Sequence, residues 1–329
     1  MDSGTRHDFR AKSGDTAEER APAKLNLGLR ILGRREDGYH ELESLFVPLD
    51  LHDSVRVRLG AEEPGAKTGV RVEFALENVD GTLGAEAPGG DENLAARAAR
   101  SFLEAAGFCG SVRVELRKRV PVAAGLGGGS SDAAAVFRAL QRLFPERVPS
   151  GEIRDLALQL GSDVPYFLDP RPALVTGVGQ GVHPIAGIPP LTFLLLNPGI
   201  PLSTAAVYRA ADALGSALTP AEPGSTMRAL AGVDGDSEAF SRLFPEILVN
   251  DLEPAAVRLC PVIRRLRVLL EDWGAQASGM SGSGATVYGV FRDESSVRMA
   301  LEKVEAETGV WARVARSWEN KVSGASPNR

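Results

Sequence analysis

The sequence has little of what disulfide-bonded, nucleic-acid-binding or membrane-spanning proteins require. Its 329 residues include two cysteines, Cys109 and Cys260, too few for a disulfide framework or a cysteine-rich zinc site. The net charge of −6 disfavours nucleic acid or an anionic membrane as the main partner. No stretch approaches the roughly 20 consecutive apolar residues of a transmembrane helix. We therefore expect a reduced, cytoplasmic protein with neither kind of partner.

Metal-ligand patterns are also missing from the sequence. His7, His52 and His183 are scattered, with no spacing that suggests a metal site, so no protein-borne metal centre is predicted.

The length favours two domains, which we place at residues 21–170 and 171–320. Residues 1–20 are polar and charged, without the apolar segment of a signal peptide, and are predicted to be a disordered leader. A disordered tail is expected at 321–329, and a mobile loop rich in Gly, Pro and Ser at 216–236.

Hydrophobic periodicity predicts alternating strands and helices, and hence an α+β protein, because the chain ends in a strand, a helix and a strand. The predicted strands are 24–31, 54–59, 70–76, 112–116, 173–176, 191–197, 285–291 and 310–314. The predicted helices are 91–106, 133–144, 150–160, 203–214, 246–249, 255–273 and 293–307.

A glycine-rich segment, PVAAGLGGGSSDAAA at 121–135, joins a predicted strand to a predicted helix. Glycines at a helix N-terminus let an anion approach unpaired backbone N–H groups, so a phosphate site is predicted. The segment is neither a Walker loop, since no lysine follows the glycines, nor a Rossmann loop, since Ser130 replaces the third glycine. The alternative, a flexible linker, would not be bounded by a regular strand and helix.

Three other patches contain residues suited to chemistry. Alternation places Lys24 and Asn26 on the same face of the first strand, although most strand lysines are only solvated. In LGSDVPYF, Asp163 follows a helix-ending glycine, and its simpler role is to cap the next helix. SGMSGSGAT, at 278–286, has the small residues of a loop that passes close to a ligand or to another backbone.

These segments together resemble the GHMP kinases. PAKLNLGL, the glycine-rich segment and SGSGAT are similar to the three motifs of that superfamily, in the same order. Four features resemble one branch, which phosphorylates a CDP-linked polyol: GRREDGYHELESLF at 33–46, the GGGSSD form of the loop, LGSDVPYF and NDLE at 250–253. The resemblance spans about residues 21–320.

The resemblance implies a fold, cofactors and site residues. The fold would be a two-domain α+β architecture, with an N-terminal domain like ribosomal protein S5 domain 2, a ferredoxin-like C-terminal domain and the active site between them. The cofactors would be ATP and Mg²⁺, and the chain would act as a monomer or homodimer. Lys24 and Asp163 would be catalytic, and Asn26, Tyr39, His40 and Tyr208 would bind the substrate. ATP would contact Pro121, Val122, Ala123, Ala124, Gly125, Leu126, Gly127, Gly128, Gly129, Ser130, Ser131 and Asp132.

The residue types suit the transfer of a phosphoryl group to an alcohol. An aspartate is already ionised near neutral pH, whereas a lysine would need its pKa lowered by about three units to act as a base. We therefore assign Asp163 as proton acceptor and Lys24 as the stabiliser of phosphoryl charge. The hydroxyls of Ser130 and Ser131 suit phosphate or Mg²⁺, with their individual roles left open.

Simpler roles remain for the recognition residues. Tyr39 and His40 follow the turn signal Asp37–Gly38, and an aromatic such as Tyr208 at helical spacing is usually part of a core. The resemblance instead implies that Tyr39 and Tyr208 stack on cytosine while His40 hydrogen-bonds its edge.

Other functions also stay open. Homoserine, mevalonate and galactose kinases share the three motifs, but the DGYH segment disfavours them. A regulatory protein that has lost catalysis is disfavoured by the presence of both Lys24 and Asp163. An RNA-binding protein on an S5-like fold is disfavoured by the acidic pI.

Overall fold

Among the described residues there are two β-sheets, and the first is formed by the N-terminal half of the chain. The computed structural model describes residues 12–62, 69–79, 87–186, 188–215 and 244–318. The strands of this sheet are β1 (Thr16–Arg34), β2 (His40–Glu62), β3 (Val70–Asn78), β4 (Gly110–Lys118), β5 (Ala173–Gly177) and β6 (Gly181–Pro184). Their order is β3-β4-β2-β5-β6, and β1 pairs antiparallel with β2.

Helices cover one face of this sheet. They are α1 (Leu94–Ala105), α2 (Gly128–Leu143), α3 (Ser150–Leu160) and α4 (Val164–Phe167). The alanine run of α2 is fully buried, and these small residues allow the helix to lie close to α1 and the sheet. Phe102, Phe137 and Phe167 are among the largest side chains of this core.

The second sheet and its helices form the C-terminal half. Its order is β10-β7-β9-β8, with β7 (Thr192–Asn197), β8 (Ala277–Met280), β9 (Val287–Phe291) and β10 (Trp311–Arg316), all antiparallel. The helices are α5 (Thr204–Leu214), α6 (Glu253–Leu259), α7 (Val262–Asp272) and α8 (Glu294–Glu307). Side chains of β1 and β2 pack with those of β7 and β9, so one apolar core spans both halves.

Two sheets flanked by helices confirm the predicted α+β class. Predicted strands and helices are present at most of the expected positions, and the helix expected at 246–249 is a single turn at 244–247. Within the parts of the chain that the structure describes, no helix is both long and apolar enough to cross a membrane.

Two boundary predictions were wrong. Strand β1 begins at Thr16, so residues 16–20 are not a disordered leader; they pair in register with residues 54–58 of β2. Strands β5 and β6 belong to the first sheet, because β5 pairs with β2, so this sheet continues past the predicted domain boundary at 170/171. The helix expected at 255–273 is two helices, since the ring of Pro261 removes a backbone donor.

Other predictions concern parts of the chain that the structure does not describe. The expected mobile loop at 216–236, the tail at 321–329 and the first 11 residues of the leader lie outside the described residues.

Candidate active site

The glycine-rich segment forms a tight loop that leads into α2. Gly127 precedes the helix with a φ of 70°, and Gly125 has a φ of 76°, conformations that favour glycine. An added Cβ at Gly125 would overlap the Ser281 carbonyl oxygen and lie 3.0 Å from that of Gly284. The first amides of α2 lack helical acceptors and carry partial positive charge, as a phosphate site requires.

Hydrogen bonds join this loop to the two other motifs. The backbone N–H of Lys24 donates to Leu126 O at 3.0 Å, and the N–H of Thr286 donates to Ala124 O at 3.3 Å. The Ser281 hydroxyl donates to Gly125 O at 2.9 Å. The three segments that are far apart in sequence therefore meet at one point between the two sheets.

The close approach at Gly125 leads to a stability prediction. Gly125→Ala is expected to lower the free energy of unfolding by about 2 kcal/mol or more, because it combines strain at positive φ with overlap against backbone. Gly129→Ala is the matched control: its Cβ would lie 3.7 Å from Leu94 Cδ1, an ordinary contact, and alanine favours the helix. Urea unfolding without nucleotide measures both. Equal stability of the two variants would contradict the described loop geometry.

Lys24 is a buried ammonium at the bottom of the cleft. It is 4% exposed, and its Nζ donates to Asn26 Oδ1 and lies 4.7 Å from the centroid of the Phe46 ring. Burial lowers the pKa of Lys24, and the neighbouring Asp163 carboxylate opposes part of that lowering. Asn26 is held in turn by Ser44, whose Oγ accepts from Asn26 Nδ2 at 2.8 Å. The ammonium is thus fixed in position by its surroundings.

Asp163 faces Lys24 from the start of α4. Its Oδ2 lies 3.7 Å from Lys24 Nζ, and its side chain is 30% exposed. The side chain makes no capping hydrogen bond to α4, so the simpler role considered for it is not observed. A carboxylate that is paired with a buried ammonium and still reachable from the cleft can accept a proton from an incoming hydroxyl.

A buried ion cluster that no sequence motif predicted supports the glycine loop. Lys118 Nζ donates to Asp53 Oδ2 at 2.5 Å and to Asp132 Oδ2 at 2.8 Å. The other oxygen of Asp53 accepts from the backbone N–H groups of Arg119 and Val120. Burial would lower the pKa of Lys118, but Asp132 and Asp53 outweigh it and raise the pKa above its usual value. The cluster ties the end of β4 to the first turns of α2.

Two oxygens beside this loop are buried without a hydrogen-bond partner among the described residues: Ser131 Oγ and Asp132 Oδ1. Burial raises the pKa of the Asp132 carboxyl well above its ordinary value, Lys118 opposes this, and the second carboxyl, Asp53, adds to it. Buried polar atoms normally have partners. The described residues contain no cluster of three or more His, Cys, Asp or Glu suited to a metal.

Aromatic and charged side chains lie at the other end of the cleft. The His40 imidazole stacks on the Tyr208 ring, with centroids 4.9 Å apart, and its Nε2 lies 2.7 Å from Asp212 Oδ1. Tyr39 is 67% exposed at the cleft mouth. Burial, with a further contribution from Asp163, raises the pKa of Tyr208 above its ordinary value. One face of Tyr208 is thus already covered by His40.

One cavity of about 920 Å³ contains these features. It is lined by the predicted catalytic and substrate residues Lys24, Asn26, Tyr39, His40, Asp163 and Tyr208. Of the predicted ATP residues, Pro121, Val122, Ala123, Ala124, Gly125, Gly127, Gly128, Gly129, Ser130 and Asp132 also line it. Leu126 and Ser131 do not line it, because their side chains are buried beneath the loop. The cavity also meets Arg34, Lys118 and Asp212, none of which the sequence analysis selected.

Comparison with known families places two models on the chain. The GHMP kinases N terminal domain matches residues 93–169, and the GHMP kinases C terminal domain matches residues 226–310. The chain is 37% identical to 4-diphosphocytidyl-2-C-methyl-D-erythritol kinase of Syntrophotalea carbinolica, over 88% of this chain and 94% of that protein. It is 40% identical to the enzyme of the same name from Thermus thermophilus, over 90% and 95% of the two chains.

Solved structures of GHMP kinases also match this chain. A crystal structure of 4-(cytidine 5'-diphospho)-2C-methyl-D-erythritol kinase matches with a TM-score of 0.71 and 38% identity, over 92% of this chain and all of that one. Homoserine kinase from Cytophaga hutchinsonii matches with a TM-score of 0.65 but 19% identity, over 92% of this chain and 95% of that one. The second likeness concerns the fold alone.

Proposed function

The chain belongs to the GHMP kinase family and, within it, to the 4-diphosphocytidyl-2-C-methyl-D-erythritol kinases, and we propose that Lys24 and Asp163 carry out its reaction. That reaction transfers a phosphoryl group from ATP to the 2-hydroxyl of the CDP-linked polyol, in the methylerythritol phosphate pathway to isoprenoid precursors. The observation that carries the proposal is the Lys24–Asp163 pair, in a cavity that joins the glycine loop to Tyr39, His40 and Tyr208.

ATP is proposed to place its phosphates on the glycine loop. Gly125 and Gly127 have no side chain that would block an anion from the backbone N–H groups, and the N-terminus of α2 is partially positive. Ser130, which lines the cavity, offers a hydroxyl to the phosphates. The Asp53–Lys118–Asp132 cluster keeps the loop fixed against β4. Little movement of the loop is then needed when the nucleotide binds.

The acceptor hydroxyl is proposed to lie beside Asp163. Phosphoryl transfer passes through a loose transition state in which positioning and charge neutralisation matter most. Asp163 accepts the hydroxyl proton as the new bond to phosphorus forms, and Lys24 stabilises negative charge on the transferring group. The lowered pKa of Lys24 does not make it the base, because its partner Asp163 is a carboxylate that can already accept a proton.

Mg²⁺ is proposed to accompany the nucleotide. When bound, it would neutralise charge on the β- and γ-phosphates, and it prefers a few protein oxygens together with phosphate oxygens. The residues present fit this: Asp132 Oδ1 is buried at the loop with no hydrogen-bond partner among the described residues, while Ser130 lines the cavity. Asp132 and Ser130 are therefore the proposed protein ligands.

The cytidine end is proposed to bind among Tyr39, His40 and Tyr208. Tyr39→Ala is expected to raise the KM for the CDP-linked substrate about 5- to 100-fold, the equivalent of one base–aromatic stack, with kcat changed little. Tyr39→Phe keeps the ring and should keep the KM. Steady-state kinetics at saturating ATP measures both variants. A wild-type KM in Tyr39→Ala would remove Tyr39 from the binding site.

A panel of acceptors separates this function from its rivals. ADP release is measured with Mg-ATP and 4-diphosphocytidyl-2-C-methyl-D-erythritol, and in parallel with homoserine, mevalonate and galactose. We expect turnover only with the CDP-linked polyol. Turnover of another alcohol would leave a kinase with a different acceptor, whereas ATP binding without any turnover would support a regulatory protein.

A further inference from the structure

The His40 imidazole is held in one orientation by contacts on its face and on its edge. Its face stacks on Tyr208 with an interplanar angle of 27°, and its Nε2 meets Asp212 Oδ1 at 2.7 Å. His40 is 8% exposed. His40 begins β2 and Asp212 lies on α5, so the contact also joins the two halves of the molecule. The other oxygen of Asp212 lies 3.9 Å from Arg34 Nη1.

The contact with Asp212 determines which ring nitrogen carries the proton. An ionised carboxylate can only accept a hydrogen bond, so Nε2 of His40 must be the donor. In a neutral imidazole the other nitrogen, Nδ1, then has a free lone pair and is an acceptor. The structure gives Nδ1 no hydrogen-bond partner among the described residues, and His40 lines the cavity.

Cytosine and uracil differ at the position that such an acceptor distinguishes. Cytosine carries an amino group at C4, a donor, whereas uracil, like thymine, carries a carbonyl oxygen there, an acceptor. We propose that Asp212 is a positioning residue that makes the site select cytidine over uridine, by keeping His40 Nδ1 an acceptor for the cytosine amino group. The inference rests on the proposed function, which brings the cytosine edge to His40.

Replacing Asp212 with asparagine tests the proposal directly. The amide offers an N–H donor as well as a carbonyl acceptor, so it accommodates either tautomer of His40. We expect Asp212→Asn to reduce the ratio of kcat/KM values for the cytidine substrate and its uridine analogue about tenfold, the value of one net hydrogen bond. The change should appear in KM, with kcat for the cytidine substrate largely retained.

Two further variants separate the tautomer from other roles of Asp212. Asp212→Glu keeps a carboxylate and should restore most of the selectivity. Arg34→Gln removes the nearby cation but leaves the carboxylate of Asp212, and it should leave the selectivity ratio unchanged. A ratio that falls equally in Arg34→Gln would assign the effect to charge pairing and overturn the proposal.

Nitrogen-15 NMR of the imidazole nitrogens reports the tautomer of His40 directly, independently of catalytic activity. The His40 resonances, assigned by their loss in His40→Gln, should report the Nε2–H tautomer in wild-type protein and a mixture in Asp212→Asn. A wild-type Nδ1–H tautomer or imidazolium would overturn the inference, as would unchanged selectivity in Asp212→Asn. Wild-type protein that uses neither nucleotide-linked polyol would overturn the proposed function, and this inference with it.

Discussion

Replacing Asp163 with asparagine is expected to reduce kcat about 10²- to 10⁴-fold, the contribution of one positioned general base. The amide keeps the size of the side chain but cannot take the proton of the acceptor hydroxyl. Asp163 makes no capping bond to α4, so its replacement should leave the helix intact. ATP binding should be retained, because the glycine loop is unchanged. The measurement is kcat by ADP release beside the Kd of ATP by calorimetry.

Asp169→Asn is the matched control for this prediction. Asp169 is 59% exposed and pairs with Arg171, and its side chain lies outside the cavity. Its replacement therefore makes the same chemical change away from the site. Its kcat and melting temperature should equal those of the wild type. Near-normal turnover by Asp163→Asn would remove the base assignment, and loss of ATP binding in that variant would assign Asp163 a role in nucleotide binding.

Lys24→Met should have an effect of similar size, reducing kcat about 10³-fold or more, as expected for loss of a cation that stabilises transferring phosphoryl charge. Methionine keeps the length and the contact with Phe46 but lacks the charge. Because burying an ammonium costs free energy, the variant should fold with a melting temperature close to that of the wild type. Steady-state kinetics and thermal unfolding measure the two effects separately.

Lys303→Met, on the exposed face of α8, is the control for the loss of one lysine. The double variant Lys24→Met/Asp163→Asn should lose less than the product of the single losses, because the two side chains act on one transfer step at a separation of 3.7 Å. Strictly multiplicative losses would mean that the two residues act independently, contrary to the proposed mechanism.

The sequence predicted most of the elements because their side chains repeat at the period of a strand or a helix. Prediction from the sequence failed where the pairing of a strand depends on residues far away in the chain. The short apolar run of β5 favours a strand, but only its pairing with β2 assigns it to the first sheet. Strand β8 has four residues, two of them small and one glycine, and shows no alternation. Pro261 did carry a local signal, since proline interrupts a helix, and that signal was overlooked.

The proposed catalytic and recognition residues were selected through their motifs, whereas the supporting residues were not. Lys118 lies 65 positions from Asp53, and His40 lies 172 positions from Asp212, so no local pattern joins either pair. Asp53 offered no hint either, because β2 contains several other acidic residues, among them Glu41 and Asp50. A buried charge requires a partner, but the sequence does not say which lysine provides it.

Phosphorus-31 NMR of the product tests the central claim most directly. The 2-hydroxyl is attached to a carbon that bears a methyl group and no hydrogen. Phosphate transferred to it should appear, without proton decoupling, as a new monoester singlet beside an intact diphosphate. A doublet or triplet would mean transfer to another hydroxyl of the polyol, and inorganic phosphate would mean hydrolysis of ATP. Either result would contradict the placement of the 2-hydroxyl beside Asp163 and Lys24.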